Sequence, residues 1–133
     1  MRLNNLFGTS GVRGLTDKEI NEEFCFNLGL AFGKFLGEGK VAVGRDNRPK
    51  ADKMLRAAKK GLVKAGLEVK DFGILPSPEL SFHLVRIKAV GGMMVTGSHL
   101  PIGMLGVIPL LKDGTIVFGK VGQKITEIYE KIS

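Results

Sequence analysis

Short apolar runs alternate with amphipathic helical patterns along most of this chain of 133 residues. Helices are predicted over residues 22–36, 51–65 and 77–86. Each is followed by a predicted strand, over residues 40–44, 67–72 and 89–95. The last of these runs is apolar at nearly every position, which is typical of a strand buried on both faces. The alternation predicts one α/β domain over residues 1–133. It should have three layers (α/β/α), with helices on both faces of a mainly parallel, mixed sheet.

The two ends of the chain carry less regular patterns. Residues 7–14 are rich in glycine and are predicted to form a loop. Residues 106–111 and 115–118 predict two more strands, joined by a turn at Asp113-Gly114. The last helix presents one apolar face, made of Ile125, Ile128, Tyr129 and Ile132. That face and the apolar residues 100–105 are predicted to be shared with another chain or a second copy.

Capping residues and glycines predict how the helices begin and pack. Asn21 is expected to cap the first helix, and Ser77 is expected to cap the third. In the first helix Gly29, Gly33 and Gly37 recur at every fourth residue. This spacing indicates a stripe along which a second backbone can approach closely.

Charge and composition favour some partners and exclude others. Lys and Arg number 20 against 13 Asp and Glu, a net charge of +7 that favours an anionic partner. The chain has one Tyr and no Trp, so it lacks the aromatic platform on which nucleic-acid bases stack, and no nucleic acid is expected. No apolar run approaches the ~20 residues of a membrane span, so no membrane partner is expected. A single cysteine, Cys25, and the absence of a signal-peptide pattern predict a cytoplasmic protein.

Polar loops follow the predicted strands, at the edge where ligands collect in open α/β sheets. They span residues 45–49, 76–77 and 96–101, and the glycine-rich residues 7–14 can join them. Their arginines suit phosphate, because the planar guanidinium group pairs with two phosphate oxygens at once. From the residues alone, Ser98 is either a nucleophile beside His99 or an ordinary turn serine. The cysteine and histidine spacing does not fit a zinc site, and the glycine spacing does not fit a nucleotide loop.

Three segments together resemble the motifs of the α-D-phosphohexomutases, the family that includes phosphoglucomutase and phosphomannomutase. They are FGTSGVRG at residues 7–14, VGRDNRP at residues 43–49 and TGSHLP at residues 96–101. Their order and spacing resemble the N-terminal domain of that family, domain I, over about residues 3–120. In this family an active serine carries a phosphoryl group, passes it to a phosphosugar and takes one back from the bisphosphate intermediate.

The resemblance implies roles for particular residues. Ser98 matches the serine that carries the phosphoryl group, His99 is its neighbour in the catalytic loop, and Arg13 matches an arginine that reaches the phosphoserine. The residues implied to bind phosphate or to support the loops are Thr9, Ser10, Arg45, Asp46 and Thr96. Mg²⁺ is the implied cofactor, held at Ser98 through its phosphoryl group, although the family's aspartate-rich metal loop does not occur in this sequence.

Two positions depart from the family's pattern. Leu100 stands where the family has asparagine, and Ile108 stands where it has a lysine that helps to move the proton. One hypothesis is a serine-bearing domain of a phosphosugar mutase, an isomerase, which is incomplete alone. The rest would come from another chain, from a second copy or from a part of the gene not included here. In that case no mutase activity is expected from this chain by itself. The alternative is a catalytically inactive relative that binds a phosphorylated hexose or a partner protein.

Overall fold

Strands and helices alternate in the structure, a computed structural model that describes residues 11–97 and 100–132. The strands are β1 (Val12–Leu15), β2 (Lys40–Arg45), β3 (Glu68–Ile74), β4 (Gly91–Thr96) and β5 (Met104–Leu111). The helices are α1 (Glu22–Leu36), α2 (Ala51–Lys64), α3 (Ser77–Arg86) and α4 (Gly119–Ile132). None of the helices within these ranges combines the length with the non-polar composition that a membrane span requires.

The described strands form one mixed sheet in the order β1-β5-β4-β2-β3. Strand β2 pairs in parallel with both β3 and β4, whereas β5 pairs antiparallel with both β4 and β1. Four strands therefore run in one direction and β5 alone runs against them. This arrangement confirms the prediction of a mainly parallel, mixed sheet.

Helices cover both faces of the sheet, and each face has its own hydrophobic core. One core is built from α1, α2 and α4 with residues such as Met93 and Val95 of β4. The other is formed by Leu80 and Leu84 of α3 with Met94 of β4. Every residue of β4 is buried, since successive side chains enter opposite cores. The predicted three-layer α/β/α fold is confirmed.

Helices α1 and α2 are in contact along small residues. A Cβ atom on Gly29 of α1 would overlap the carbonyl oxygen of Ala58, and one on Gly61 of α2 would overlap that of Phe26. The predicted close approach is thus confirmed at Gly29, whereas Gly61 was not singled out by the sequence pattern. Gly37 differs, because a Cβ there would meet nothing within 4 Å; its positive φ ends α1 instead.

Helix starts agree with the capping predictions at one site of two. The side chain of Asn21 accepts a hydrogen bond of 2.7 Å from the backbone N–H of Phe24, as expected of a cap. The prediction for Ser77 is wrong by one residue, because Pro76 occupies the cap position and Ser77 is already helical. Extended Pro76 starts the helix here without a side-chain cap hydrogen bond.

Three predictions near the ends of the chain are wrong. Residues 12–15 form β1 rather than a loop, because they pair with β5, a partner far away in sequence. Residues 115–118 form no strand and contribute one isolated bridge, between Ile116 and Leu110. The apolar face of α4 is turned inward against α1: Ile125 is fully buried and the Tyr129 ring lies 5.5 Å from that of Phe24. That face is therefore not the predicted docking surface.

The contact between α1 and α2 predicts an unusual effect of alanine. Gly61→Ala should lower the free energy of unfolding by roughly 1–3 kcal/mol, because the new methyl group forces the helices apart. Alanine at an open helical site would instead stabilise the helix by up to about 1 kcal/mol. Urea unfolding measures the difference, and Lys60→Ala, on the exposed side of α2, should change stability by less than about 0.5 kcal/mol. A stabilising Gly61→Ala would contradict the close packing.

Candidate functional site

The loop between β4 and β5 is the centre of the candidate site. Strand β4 ends at the buried Thr96. After Gly97 the next residue that the structure describes is Leu100, and β5 begins at Met104. Ser98 and His99, expected to be catalytic, lie outside the described residues, as do Thr9 and Ser10. The residues on either side of Ser98 and His99 are described, and their contacts define how the loop is held.

Asp46 anchors the start of this loop. One carboxylate oxygen, Oδ2, accepts hydrogen bonds from the Thr96 hydroxyl (2.8 Å) and from the backbone N–H of Gly97 (2.7 Å). The other, Oδ1, accepts a bond of 2.9 Å from the backbone N–H of Arg48. The Asp46 backbone N–H in turn donates to the Val95 carbonyl at 3.1 Å. The end of β2 is thereby joined to the end of β4 through one side chain.

Hydrogen bonding keeps the Asp46 carboxylate ionised. Partial burial alone would raise its pKa, since desolvation disfavours the charged form. The donors of Arg48, Gly97 and Thr96, together with the positive charge of Arg48, outweigh that effect and hold the pKa below its ordinary value. Asp46 is therefore negatively charged at neutral pH and keeps its acceptor oxygens available to the loop.

Arg48 holds the far side of the same loop. Its guanidinium Nη1 donates to the carbonyl oxygens of Leu100 (2.7 Å) and Pro101 (2.9 Å), with a longer contact to that of Met104 (3.5 Å). The guanidinium group reaches these carbonyls by passing directly over Gly97, where a Cβ atom would overlap it. Asp46 and Arg48 together thus fasten both sides of the segment that contains Ser98 and His99.

Sequence reasoning placed the loop-supporting role on Arg45 and Asp46 and passed over Arg48. The Arg45 guanidinium donates to the backbone carbonyl of Asp46 at 3.2 Å, whereas the contacts that hold the described part of the β4–β5 loop come from Asp46 and Arg48. The signal for Arg48 was an arginine two residues after Asp46, within the motif quoted above. Its reach of 52 residues along the chain, to Leu100, is a tertiary contact that the local pattern does not reveal.

Arg13 reaches the site from β1. It pairs in register with Gly106 of β5, and Gly106 pairs with Thr96 of β4, so the three residues form one row across the sheet. Gly106 leaves room for the Arg13 side chain, since a Cβ on Gly106 would lie 3.2 Å from the Cγ of Arg13. Within the described ranges, no carboxylate lies within ion-pair distance of Arg13. Its charge therefore remains available to an anion beside the loop.

A cavity of about 430 Å³ extends from this row along the face of the sheet that carries α3. Arg13 and Thr96 lie at its end near the loop, and Ile108 lies farther along its floor. The other described residues that line it are Ser77, Pro78, Ser81, Met94, Leu100, Gly106, Leu110, Gly114 and Ile116. A space next to the serine loop is thus mostly lined by non-polar side chains.

The described residues do not by themselves provide the magnesium site that the resemblance implies. Among them, no three His, Cys, Asp or Glu side chains come together as potential metal ligands. Asp46 is the carboxylate beside the loop, and its oxygens already accept hydrogen bonds from three donors. A cluster of such ligands around Mg²⁺ would need groups beyond the described residues.

The Asp46 network predicts a pH-dependent loss of stability. Because the pKa of folded Asp46 lies below its ordinary value of 3.8, the ionised carboxylate stabilises the fold fully above that value. This contribution is lost as the pH falls through the lower folded-state pKa. Asp46→Asn should reduce the free energy of unfolding at pH 7 by roughly 1–3 kcal/mol, because an NH2 group replaces one of the two acceptor oxygens and the donors facing it lose their partner. The deficit should shrink in strong acid.

Urea unfolding as a function of pH checks this prediction. Glu130→Gln is the control: it removes an exposed carboxylate of α4, and it should change stability by less than about 0.5 kcal/mol. Parallel pH profiles for the wild type and Asp46→Asn would contradict the assigned role of the carboxylate.

Comparison with known proteins agrees with the fold and the motifs. A family model described as phosphoglucomutase/phosphomannomutase, alpha/beta/alpha domain I, matches residues 4–133. The chain is 34% identical over 128 residues to a phosphoglucosamine/phosphogalactosamine mutase of Sulfurisphaera tokodaii, covering 96% of this chain and 28% of that protein. It is 38% identical over 130 residues to a phosphoglucosamine mutase of Caldanaerobacter subterraneus, covering 95% of this chain and 29% of that protein.

Solved structures show the same similarity. The structure of a protein described as a phosphomannomutase from Thermus thermophilus superimposes with a TM-score of 0.88 at 35% identity, over 97% of this chain and 30% of that one. The chain spans less than a third of the length of these relatives. Given the family match over residues 4–133, the chain belongs to the phosphoglucomutase/phosphomannomutase family and corresponds to its α/β/α domain I.

Proposed function

We propose that this chain is the serine-bearing domain of a phosphosugar mutase, in which Ser98 accepts and returns a phosphoryl group. The observation that supports this most directly is the attachment of the β4–β5 loop on both sides by Asp46 and Arg48. A nucleophile must be held close to its reaction geometry, because orientation supplies much of the rate of a bound reaction.

Arg13 and His99 complete the proposed site. Ser98 Oγ attacks a phosphorus atom of a hexose bisphosphate, the bond from that phosphorus to the sugar oxygen breaks, and the serine proton passes to the departing sugar oxygen. In the return step a different hydroxyl of the sugar attacks the phosphoserine, the bond from phosphorus to Ser98 Oγ breaks, and the proton of that hydroxyl passes back to Ser98 Oγ. Arg13 stands in the same row as Thr96, where its positive charge can offset the charge of a phosphoryl group. His99 is assigned to the same loop by the resemblance.

The rest of the proposed mutase lies outside this sequence, in a partner chain, a second copy or a further part of the same gene product. The curated relatives are mutases more than three times as long as this chain, and the groups that grip the sugar would come from outside domain I. The phosphorylated hexose would then lie between this domain and the remainder of the mutase. A cytoplasmic location is also proposed, because phosphorylated hexoses occur in the cytoplasm.

A second candidate function rests on the residues that depart from the family pattern. Leu100 and Ile108 both line the cavity beside the loop, where an amide and a lysine would supply polar contacts. Without a lysine at position 108, proton transfer loses a general acid–base group, whose help is typically worth about 10²–10⁴-fold. A relative that binds a phosphosugar or a partner protein without turnover is therefore the alternative.

Phosphorylation of Ser98 tests the proposal directly. The chain should gain one phosphate on Ser98 when incubated with glucose 1,6-bisphosphate and Mg²⁺, as followed by intact mass and peptide mapping. The reaction should be slow, and Ile108→Lys should accelerate it by about 10²-fold or more by restoring a proton carrier. Ser98→Ala should remove the label, whereas Ser81→Ala, a control serine on α3, should keep it. Absence of any label in all variants would favour the alternative.

Turnover by the isolated chain provides a second test. The 133-residue chain alone should show no measurable conversion of glucose 1-phosphate or mannose 1-phosphate, because it lacks groups that position the sugar. Coupled assays with and without glucose 1,6-bisphosphate measure this. Robust turnover by the pure chain, lost in Ser98→Ala, would show that a partner is unnecessary.

A further inference from the structure

The cavity beside the serine loop changes in chemical character along its length. At the loop end, Arg13 brings a positive charge. One strand repeat farther from the loop, the row beneath the cavity is formed by Ile108 of β5 and Met94 of β4. A repeat of two residues advances by roughly 7 Å along a strand, so the cation and the non-polar floor are within reach of one small molecule.

The hydroxyl groups around the cavity are largely engaged with protein acceptors. The Thr96 hydroxyl donates to Asp46 at 2.8 Å, and the Ser81 hydroxyl donates to the Gly114 carbonyl at 3.1 Å. Apart from the Ser77 hydroxyl, the rest of the described lining is mostly non-polar and offers few partners to a ring of sugar hydroxyls. Burying a hydroxyl without a hydrogen-bond partner costs roughly 1–3 kcal/mol in proteins. The interior of the cavity is therefore poorly suited to a hexose.

We propose that this cavity binds an organic anion with a compact non-polar body. Its phosphate or carboxylate group lies at Arg13, and its body lies against Met94, Ile108 and Leu110. The volume of about 430 Å³ falls within the range of ~300–1,000 Å³ that is typical of small-molecule sites. Two observations carry the assignment: one cationic end without an ion-pair partner in the described residues, and a continuous aliphatic floor.

This inference does not depend on the reactivity of Ser98. It shares Arg13 with the proposed phosphoryl-transfer site, but it assigns a ligand class to the cavity beyond that residue, and it is tested by binding alone. Failure of Ser98 to react would leave it standing. Conversely, a preference of the cavity for sugars would overturn it without affecting the proposed mutase domain.

Titration calorimetry with phenyl phosphate, inorganic phosphate and glucose 1-phosphate is the first test. Phenyl phosphate should bind at least roughly tenfold more tightly than inorganic phosphate, because non-polar pockets discriminate by about that factor for even one methylene group. Arg13→Gln should weaken phenyl phosphate at least roughly tenfold, since the anion loses a charge-assisted hydrogen bond. Arg56→Gln, which removes an exposed arginine of α2 on the opposite face of the sheet, should leave binding unchanged.

Two further measurements locate the ligand. Ile108→Lys should bring the affinities for phenyl phosphate and inorganic phosphate close together, because it replaces part of the non-polar floor by a cation. In the unaltered protein, which avoids any effect of substitution on folding, phenyl phosphate should shift the methyl resonances of Ile108 and Ile116. The methyl groups of Ile74, exposed on the edge strand β3, should not shift.

Three results would overturn the inference. They are equal binding of phenyl phosphate and inorganic phosphate, tighter binding of glucose 1-phosphate than of phenyl phosphate, and no methyl shift at Ile108 or Ile116.

Discussion

The candidate site depends on the hydrogen bonds that the Asp46 carboxylate accepts. One of its oxygens accepts hydrogen bonds from the Thr96 hydroxyl and the Gly97 N–H, and the other accepts one from the Arg48 N–H. Parallel strands β2 and β4 end side by side, and this side chain converts their proximity into a fixed geometry for the loop that follows. Each donor is satisfied by a charged acceptor, and such bonds are roughly twice as strong as neutral ones.

Arg48 continues the same framework, and it explains a constraint on the neighbouring glycine. Its guanidinium group crosses Gly97 to reach the carbonyls of Leu100 and Pro101. Any side chain at position 97 would occupy that path, so the arginine requires glycine there. The support of the loop therefore belongs to a set of residues from β2, β4 and the turns after them, and removing one member deprives its neighbours of a hydrogen bond.

The two faces of the sheet serve different purposes. On one face α1, α2 and α4 bury a continuous core. On the other, α3 covers the sheet over β2 and β4, and a cavity remains over β4 and β5. Gly106 keeps the floor between Arg13 and Thr96 open, because it has no side chain to fill it. The proposed ligand site lies where the described helices leave the sheet uncovered, next to the loop that carries Ser98.

The sequence by itself determined the α/β class, most strand and helix positions, the Asn21 cap and the family, because these depend on local periodicity, capping and contiguous motifs. Only the tertiary structure decided the pairing of β1, the inward face of α4 and the role of Arg48. Each of these depends on a partner distant along the chain, as in the reach of Arg48 over 52 residues to Leu100. No local pattern encodes such a distance, since a side chain's partners at long range are set by how the layers pack.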